Sequence, residues 1–207
     1  MRKFFIALCA IATSVSFIVS NNIQAQNSEA IRNYNKGVEA SQNGNYNLAV
    51  TMFSIALGHD TQFKYAFYNR GWANYHLGYY GKAIKDFDAT IRLDENYALA
   101  YNNRGLCYDK LEKYDLAIED YEKSIKLNPK DHKPYANMGL TYMTLNQFKA
   151  SKKCFDLSLQ LQPFDPDTYR NRGLVLELLK LDPCEDYKSA CLFGDDNCCE
   201  WVKNKCE

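Results

Sequence analysis

The chain has 207 residues, with 25 Lys plus Arg against 25 Asp plus Glu, and so no net formal charge. A general nucleic-acid binder needs a basic excess, and that class is excluded. Tyr (16) and Phe (11) are abundant while Pro (5) is scarce, a helical, globular composition and not a disordered one.

Residues 1–25 read as an export signal. Arg2 and Lys3 precede the apolar run "FFIALCAIATSVSFIV" (Phe4 to Val19). That run falls short of the ~20 apolar residues of a spanning helix, and Thr13, Ser14 and Ser16 dilute it. Ile23 and Ala25 occupy the −3 and −1 positions of a cleavage site, which predicts a mature start at Gln26. Cys9 follows Leu8, where a lipoprotein signal wants a small residue, so lipidation is not expected. Export places the chain in the periplasm or outside the cell, where disulfides persist. The mature chain has no N-x-Ser/Thr sequon, which favours a bacterial envelope.

From about residue 30 one period governs the chain. Gly37, Gly71, Gly105, Gly139 and Gly173 are each 34 residues apart. Sixteen residues after the first four stands an aromatic: Phe53, Phe87, Tyr121, Phe155. Twelve after them stands a small residue: Ala49, Ala83, Ala117, Ser151. Within "YALAYNNRGLCYDKLEKYDLAIEDYEKSIKL" apolar residues recur at three- and four-residue steps, giving two amphipathic helices split near Glu112–Lys113. The glycine lets the second helix of its hairpin approach, the small residue is expected to receive it, and the aromatic to fill the space between hairpins. One hairpin cannot bury its apolar face alone, so units must stack.

This pattern resembles the tetratricopeptide repeat, a helix–turn–helix unit with Gly at position 8, Ala at 20 and an aromatic at 24. The resemblance implies a right-handed, all-α solenoid of antiparallel hairpins over 26–181, ending in a capping helix. Four full repeats start at about 30, 64, 98 and 132, and the first helix of a fifth starts at about 166.

In the fifth unit the aromatic, Tyr187, follows Gly173 by 14 residues and not 16, so the inter-helix loop is two residues shorter. Asp182 is expected to cap the next helix, with Pro183 at its first position and Glu185 closing a capping box. Gly194 ends it and a last helix follows from about Asp196 to Lys205. The tail, 182–207, is thus an antiparallel hairpin. Cys184 opens its first helix and Cys206 closes its second, while Cys191 ends the first and Cys199 or Cys198 opens the second. The pairing predicted is Cys184–Cys206 and Cys191–Cys199, two nested staples. "ACLFGDDNCCEWV" also resembles the cysteine-bridged hairpins of Sel1-like repeats. Neither the two close Cys pairs of a zinc site nor the Cys-x-x-Cys of a redox centre is present. Cys107 and Cys154 are expected as buried free thiols, and Cys198 is left over, to mispair, swap with Cys199 or link two chains.

No catalytic constellation occurs. His59, His76 and His132 are isolated, and no phosphate loop, G-x-S-x-G or H-E-x-x-H is found. No enzyme activity, metal or cofactor is expected. Position 6 of every repeat is asparagine: Asn35, Asn69, Asn103, Asn137 and Asn171. An amide offers both donor and acceptor, and the row resembles the asparagine ladder of peptide-binding tetratricopeptide superhelices. The resemblance places it on a concave groove. The alternative is that these amides bond within the scaffold. Tyr34, Tyr65, Tyr68, Trp72 and Tyr75 are further groove candidates, since Tyr and Trp are enriched at binding hot spots. The carboxylate clamp of chaperone-binding repeats is missing, because Tyr34 and Val38, or Tyr68 and Trp72, stand where it needs Lys and Asn. Arg70, Arg104 and Arg172 are expected to pair with carboxylates of adjacent helices. The function expected is a non-catalytic scaffold that holds an extended segment of a partner protein. The alternative is a structural subunit of an envelope complex that uses its convex face or ends.

Overall fold

The computed structural model describes residues 28–206, and the expected signal, residues 1–25, lies outside them. Among the described residues there are eleven helices and no strand, the all-α class expected from the sequence. The chain divides into two compact units, one ending at Leu93 and one starting at Asp94. In the first, α1 (28–42) pairs with α2 (Tyr46–His59), and α3 (Lys64–His76) with α4 (Tyr80–Leu93). In the second, α5 (Ala98–Lys110) pairs with α6 (Tyr114–Leu127), and α7 (Lys133–Thr144) with α8 (Phe148–Leu161). There too α9 (Pro166–Leu178) pairs with α10 (Cys184–Leu192), on which α11 (Asp196–Lys205) packs. No described helix is long and apolar enough to cross a membrane.

Each hairpin turns by the same device. The first helix ends at a residue in the left-handed region: Gly44, Gly78, Glu112, Asn146 or Lys180, with φ between 58° and 78°. The next residue's N–H reaches back to the last turn, as in Tyr79 to the Asn74 carbonyl at 2.8 Å and Lys113 to the Tyr108 carbonyl at 2.9 Å. This arrangement satisfies carbonyls that the helix end leaves open. The first unit uses glycine for it. The second uses three side-chain residues, where a left-handed backbone costs about 1–2 kcal/mol each.

The period-34 glycines explain how closely the paired helices approach. A Cβ on Gly105 would lie 2.7 Å from the Tyr121 ring, and one on Gly139 would lie 2.7 Å from Phe155. Phe53, Phe87, Tyr121 and Phe155 are fully buried. The aromatic therefore sits on the glycine of its own hairpin, and Phe53 also packs in one cluster with Ala73 of the next hairpin, as a residue between hairpins does. The small position-20 residue lies alongside, and Ser151 Oγ donates to the Gly139 carbonyl at 2.7 Å. The shortened fifth unit keeps the same arrangement, since a Cβ on Gly173 would lie 2.6 Å from the Tyr187 ring.

Each expected arginine finds a carboxylate on the second helix of its hairpin. Arg70 meets Asp86 at 2.6 Å, Arg104 meets Asp120 at 2.7 Å, and Arg172 meets Asp186 at 2.7 Å and Asp156 at 2.7 Å. The aspartates 86, 120 and 186 are buried, and two-pronged guanidinium bonds to all three offset the cost of that burial.

In the tail, α10 starts at Cys184, one residue later than Pro183 was expected to start it. Asp182 still accepts from the Cys184 N–H at 2.9 Å, as a cap does. Glu185 pairs with Lys188 and does not close a capping box. Gly194, at φ 104°, ends the α10 segment. Cys184 is paired with Cys206 and Cys191 with Cys199, at Cα separations of 5.7 and 4.7 Å, both disulfide-capable. Cys107 and Cys154 are buried thiols, and burial pushes them up to about 12 and about 11. Cys198 is buried too, packed with Tyr187 and Ala190. A thiol so placed is not presented to a second chain.

Asp195 caps α11 through the Cys198 N–H and forms an ion pair with Arg170 of α9. Burial pushes its carboxyl up, but the Arg170 bond and the Cys198 amide outweigh burial and hold it below the ordinary range. The folded value lies below the unfolded one. The stabilisation is therefore complete above the ordinary carboxylate value near pH ~3.9. It is lost as pH falls through the folded value. Melting followed by circular dichroism from pH 7 to pH 2 should show this acid loss, and Asp195→Asn should flatten it. An identical acid limb in both proteins would contradict the assignment.

Candidate functional site

The position-6 asparagines all fall on first helices of hairpins. In the first unit Asn35 is exposed and Asn69 half-buried. Asn69 Nδ2 donates to the Tyr34 hydroxyl at 2.8 Å, tying α3 to α1. In the second unit Asn103 is buried, while Asn137 and Asn171 are half-buried. Asn137 Nδ2 donates to Asn102 Oδ1 at 2.9 Å, tying α7 to α5, and Asn102 Nδ2 donates to Asn103 Oδ1 at 3.0 Å. Both cross-helix bonds run from position 6 to position 5 of the preceding first helix. One N–H of Asn69 and one of Asn137 is thus spent on the scaffold. Each of these two amides keeps an Oδ1 acceptor and a second N–H donor besides that bond.

The aromatic candidates of the first unit behave differently from one another. Tyr65 is 47% exposed, as a contact residue would be. Tyr34 packs between Phe53 and Phe63, with ring centroids 5.7 and 4.8 Å away. Tyr68 lies 5.8 Å from Phe87. Trp72 and Tyr75 stack at 5.5 Å, half-buried, and both meet His76 edge-on. His76 stacks flat on Tyr46 at 4.4 Å, and burial lowers its pKa from the usual histidine value. This histidine is therefore part of an aromatic cluster and is not isolated as the sequence suggested.

Sequence reasoning missed the apolar companion of the asparagine row. Position 9 reads Leu106, Leu140 and Leu174 in the second unit. Leu140 and Leu174 are 37% and 39% exposed. Each stands three residues after a position-6 asparagine, on the same helix face. The signal was present in the 34-residue period. A leucine on an amphipathic helix, however, reads first as core.

One ionisable group stands at position 12 of α5. Asp109 accepts from the Tyr121 hydroxyl and from Thr141 Oγ1. Burial raises its pKa, and the two hydroxyl bonds oppose that rise. Among the described residues no group of three or more His, Cys, Asp or Glu could hold a metal ion.

Three tetratricopeptide repeat models match the sequence, over residues 34–98, 98–131 and 132–165. Together they run unbroken from 34 to 165 and stop short of the cysteine-rich tail. A search of curated proteins gives no significant match. Solved structures do match. MamA residues 41 to the end from Desulfovibrio magneticus is 21% identical, with TM-score 0.68, covering 86% of this chain and 97% of that one. The thermophilic TPR protein TTC0263 of Thermus thermophilus is 17% identical, with TM-score 0.69, covering 84% and 97%. YrrB, described as a TPR protein with an unusual peptide-binding site, is 19% identical, with TM-score 0.67, covering 89% and 97%. At these identities the likeness shows the fold alone.

Proposed function

The chain belongs to the tetratricopeptide repeat family, and from that premise we propose that it is a non-catalytic scaffold that holds an extended segment of a partner protein against its first helices. The family is one of protein–protein interaction modules. The observation that carries the finer reading is the pairing of a half-buried amide with an exposed leucine three residues on, at Asn137 with Leu140 and Asn171 with Leu174. Such a surface bonds a peptide backbone and also takes apolar side chains. The peptide-binding site named for YrrB supports this reading by analogy of fold. Export to an oxidising compartment belongs to the same proposal, and two disulfide-capable cysteine pairs in the tail support it.

A second reading, a structural subunit of an envelope complex, is favoured by a different feature. Leu192 and Phe164 are 78% and 67% exposed, and Phe193 packs edge-on against Phe164. The test is a pull-down from envelope extract with the chain starting at Gln26. Wild type is compared with Asn69→Ala/Asn103→Ala/Asn137→Ala and with Leu140→Ser/Leu174→Ser, all checked for folding by circular dichroism. Partners lost in the folded variants are expected. Partners retained by both variants but lost in Leu192→Ser/Phe164→Ser would favour the second reading.

A further inference from the structure

The first unit contains a cavity of about 550 Å³ bounded by α2 and α4 and floored by α3. Its chemistry is one-sided. From α4, Lys82 and Lys85 stand exposed at its wall, and Lys82 Nζ lies over the Tyr79 ring at 4.7 Å. Arg70 and Asp86 on the floor neutralise each other through their two-pronged bond. The two lysines therefore leave the cavity positive, and Asp86 is the one acid among the residues lining it.

The opposite wall presents acceptors. Thr51 Oγ1 donates to the Asn47 carbonyl and Ser54 Oγ to the Val50 carbonyl, so each hydroxyl proton is spent on the backbone. What Thr51 still offers is an oxygen lone pair. On the floor, Asn74 is 3% exposed, its Nδ2 donates to Asp86, and its Oδ1 has no partner. That oxygen is itself closed off from solvent, so the acceptor a ligand can reach in the cavity is the exposed Thr51. The wall differs from its counterpart in sequence. At the same three helical positions α6 carries Asp115, Glu119 and Glu122, where α2 has Asn47, Thr51 and Ser54. Acids there would repel an anion, and α2 has none at these positions.

We propose that this cavity binds a small polyol phosphate. The phosphate lies between Lys82 and Lys85, and a ligand hydroxyl donates to Thr51. The volume suits such a ligand, since small-molecule pockets span about 300–1,000 Å³. The site is separate from the peptide-binding reading and does not depend on it.

Amide and side-chain NMR shifts of the chain starting at Gln26 test the proposal, with glycerol 3-phosphate and inorganic phosphate as probes. The expected result is saturable shifts at Lys82, Lys85 and Thr51. Glycerol 3-phosphate should bind roughly fivefold tighter than phosphate, the worth of a hydroxyl bond. Lys82→Gln/Lys85→Gln should weaken both by roughly tenfold, with an unchanged circular dichroism spectrum. Shifts scattered over surface lysines, no shift at Lys82 and Lys85, or equal affinity for the two probes would overturn the proposal.

Discussion

Phe155→Ala is expected to destabilise the second unit by about 3–5 kcal/mol, the range for emptying a buried aromatic site. Phe155 is fully buried, and its ring lies 2.7 Å from where a Cβ on Gly139 would be. The reverse change, Gly139→Ala, forces that ring to move. Overpacking costs about 1–3 kcal/mol, against which alanine's helix propensity returns up to ~1 kcal/mol. The two sites are therefore coupled. In a Phe155→Leu background the Gly139→Ala penalty should shrink by about 1 kcal/mol or more. Urea titration, read with amide exchange in α7 and α8, checks both values. Strictly additive losses would show that the glycine is not there to admit the ring.

The second large effect concerns the tail. Replacing Cys184 and Cys206 by serine is expected to cost about 3 kcal/mol by the loop-entropy model, for a sequence separation of 22. The loss should be local. Trp201 rests on Tyr187 at 4.3 Å, and Cys198 packs in the same cluster. Burial pushes the Cys198 thiol up to about 11, with Asp195 adding to the rise. In the wild type Cys198 should thus resist iodoacetamide at pH 8. In the variant the far end of α11 is released while Cys191 and Cys199 still hold its start, and Cys198 should alkylate faster than in the wild type. Equal alkylation rates in the two proteins would show that this bridge does not hold α11 on α10.

Much of this was legible in the sequence because it repeats. The 34-residue glycine period fixed the hairpins, and the two-residue shift to Tyr187 located the fifth ring contact. Antiparallel geometry brought Cys184 near Cys206 and Cys191 near Cys199, the two disulfide-capable pairs. What escaped detection has physical causes. The left-handed turn residue is glycine at Gly44 and Gly78 but Glu112, Asn146 and Lys180 later, so composition concealed a position that backbone geometry repeats. The partners of the arginines, Asp86, Asp120 and Asp186, stand 14 or 16 residues away, a separation that only the packed hairpin brings together. The asparagines read as ligand-facing because an unpaired amide is poor core material. The sequence did not reveal that Tyr34 and Asn102 supply acceptors one repeat earlier. The leucines at position 9 were passed over because apolar residues on amphipathic helices are usually buried.

If a partner segment lies against the first helices, residues on that face must touch it. Photo-crosslinking tests it most directly, with benzoylphenylalanine in place of Leu140 on α7 or of Lys153 on the exposed face of α8. Crosslinks are expected from position 140, mapping by mass spectrometry to one short stretch of one partner, and none from position 153. Crosslinks from position 153 alone would contradict that placement and move binding to the second-helix face.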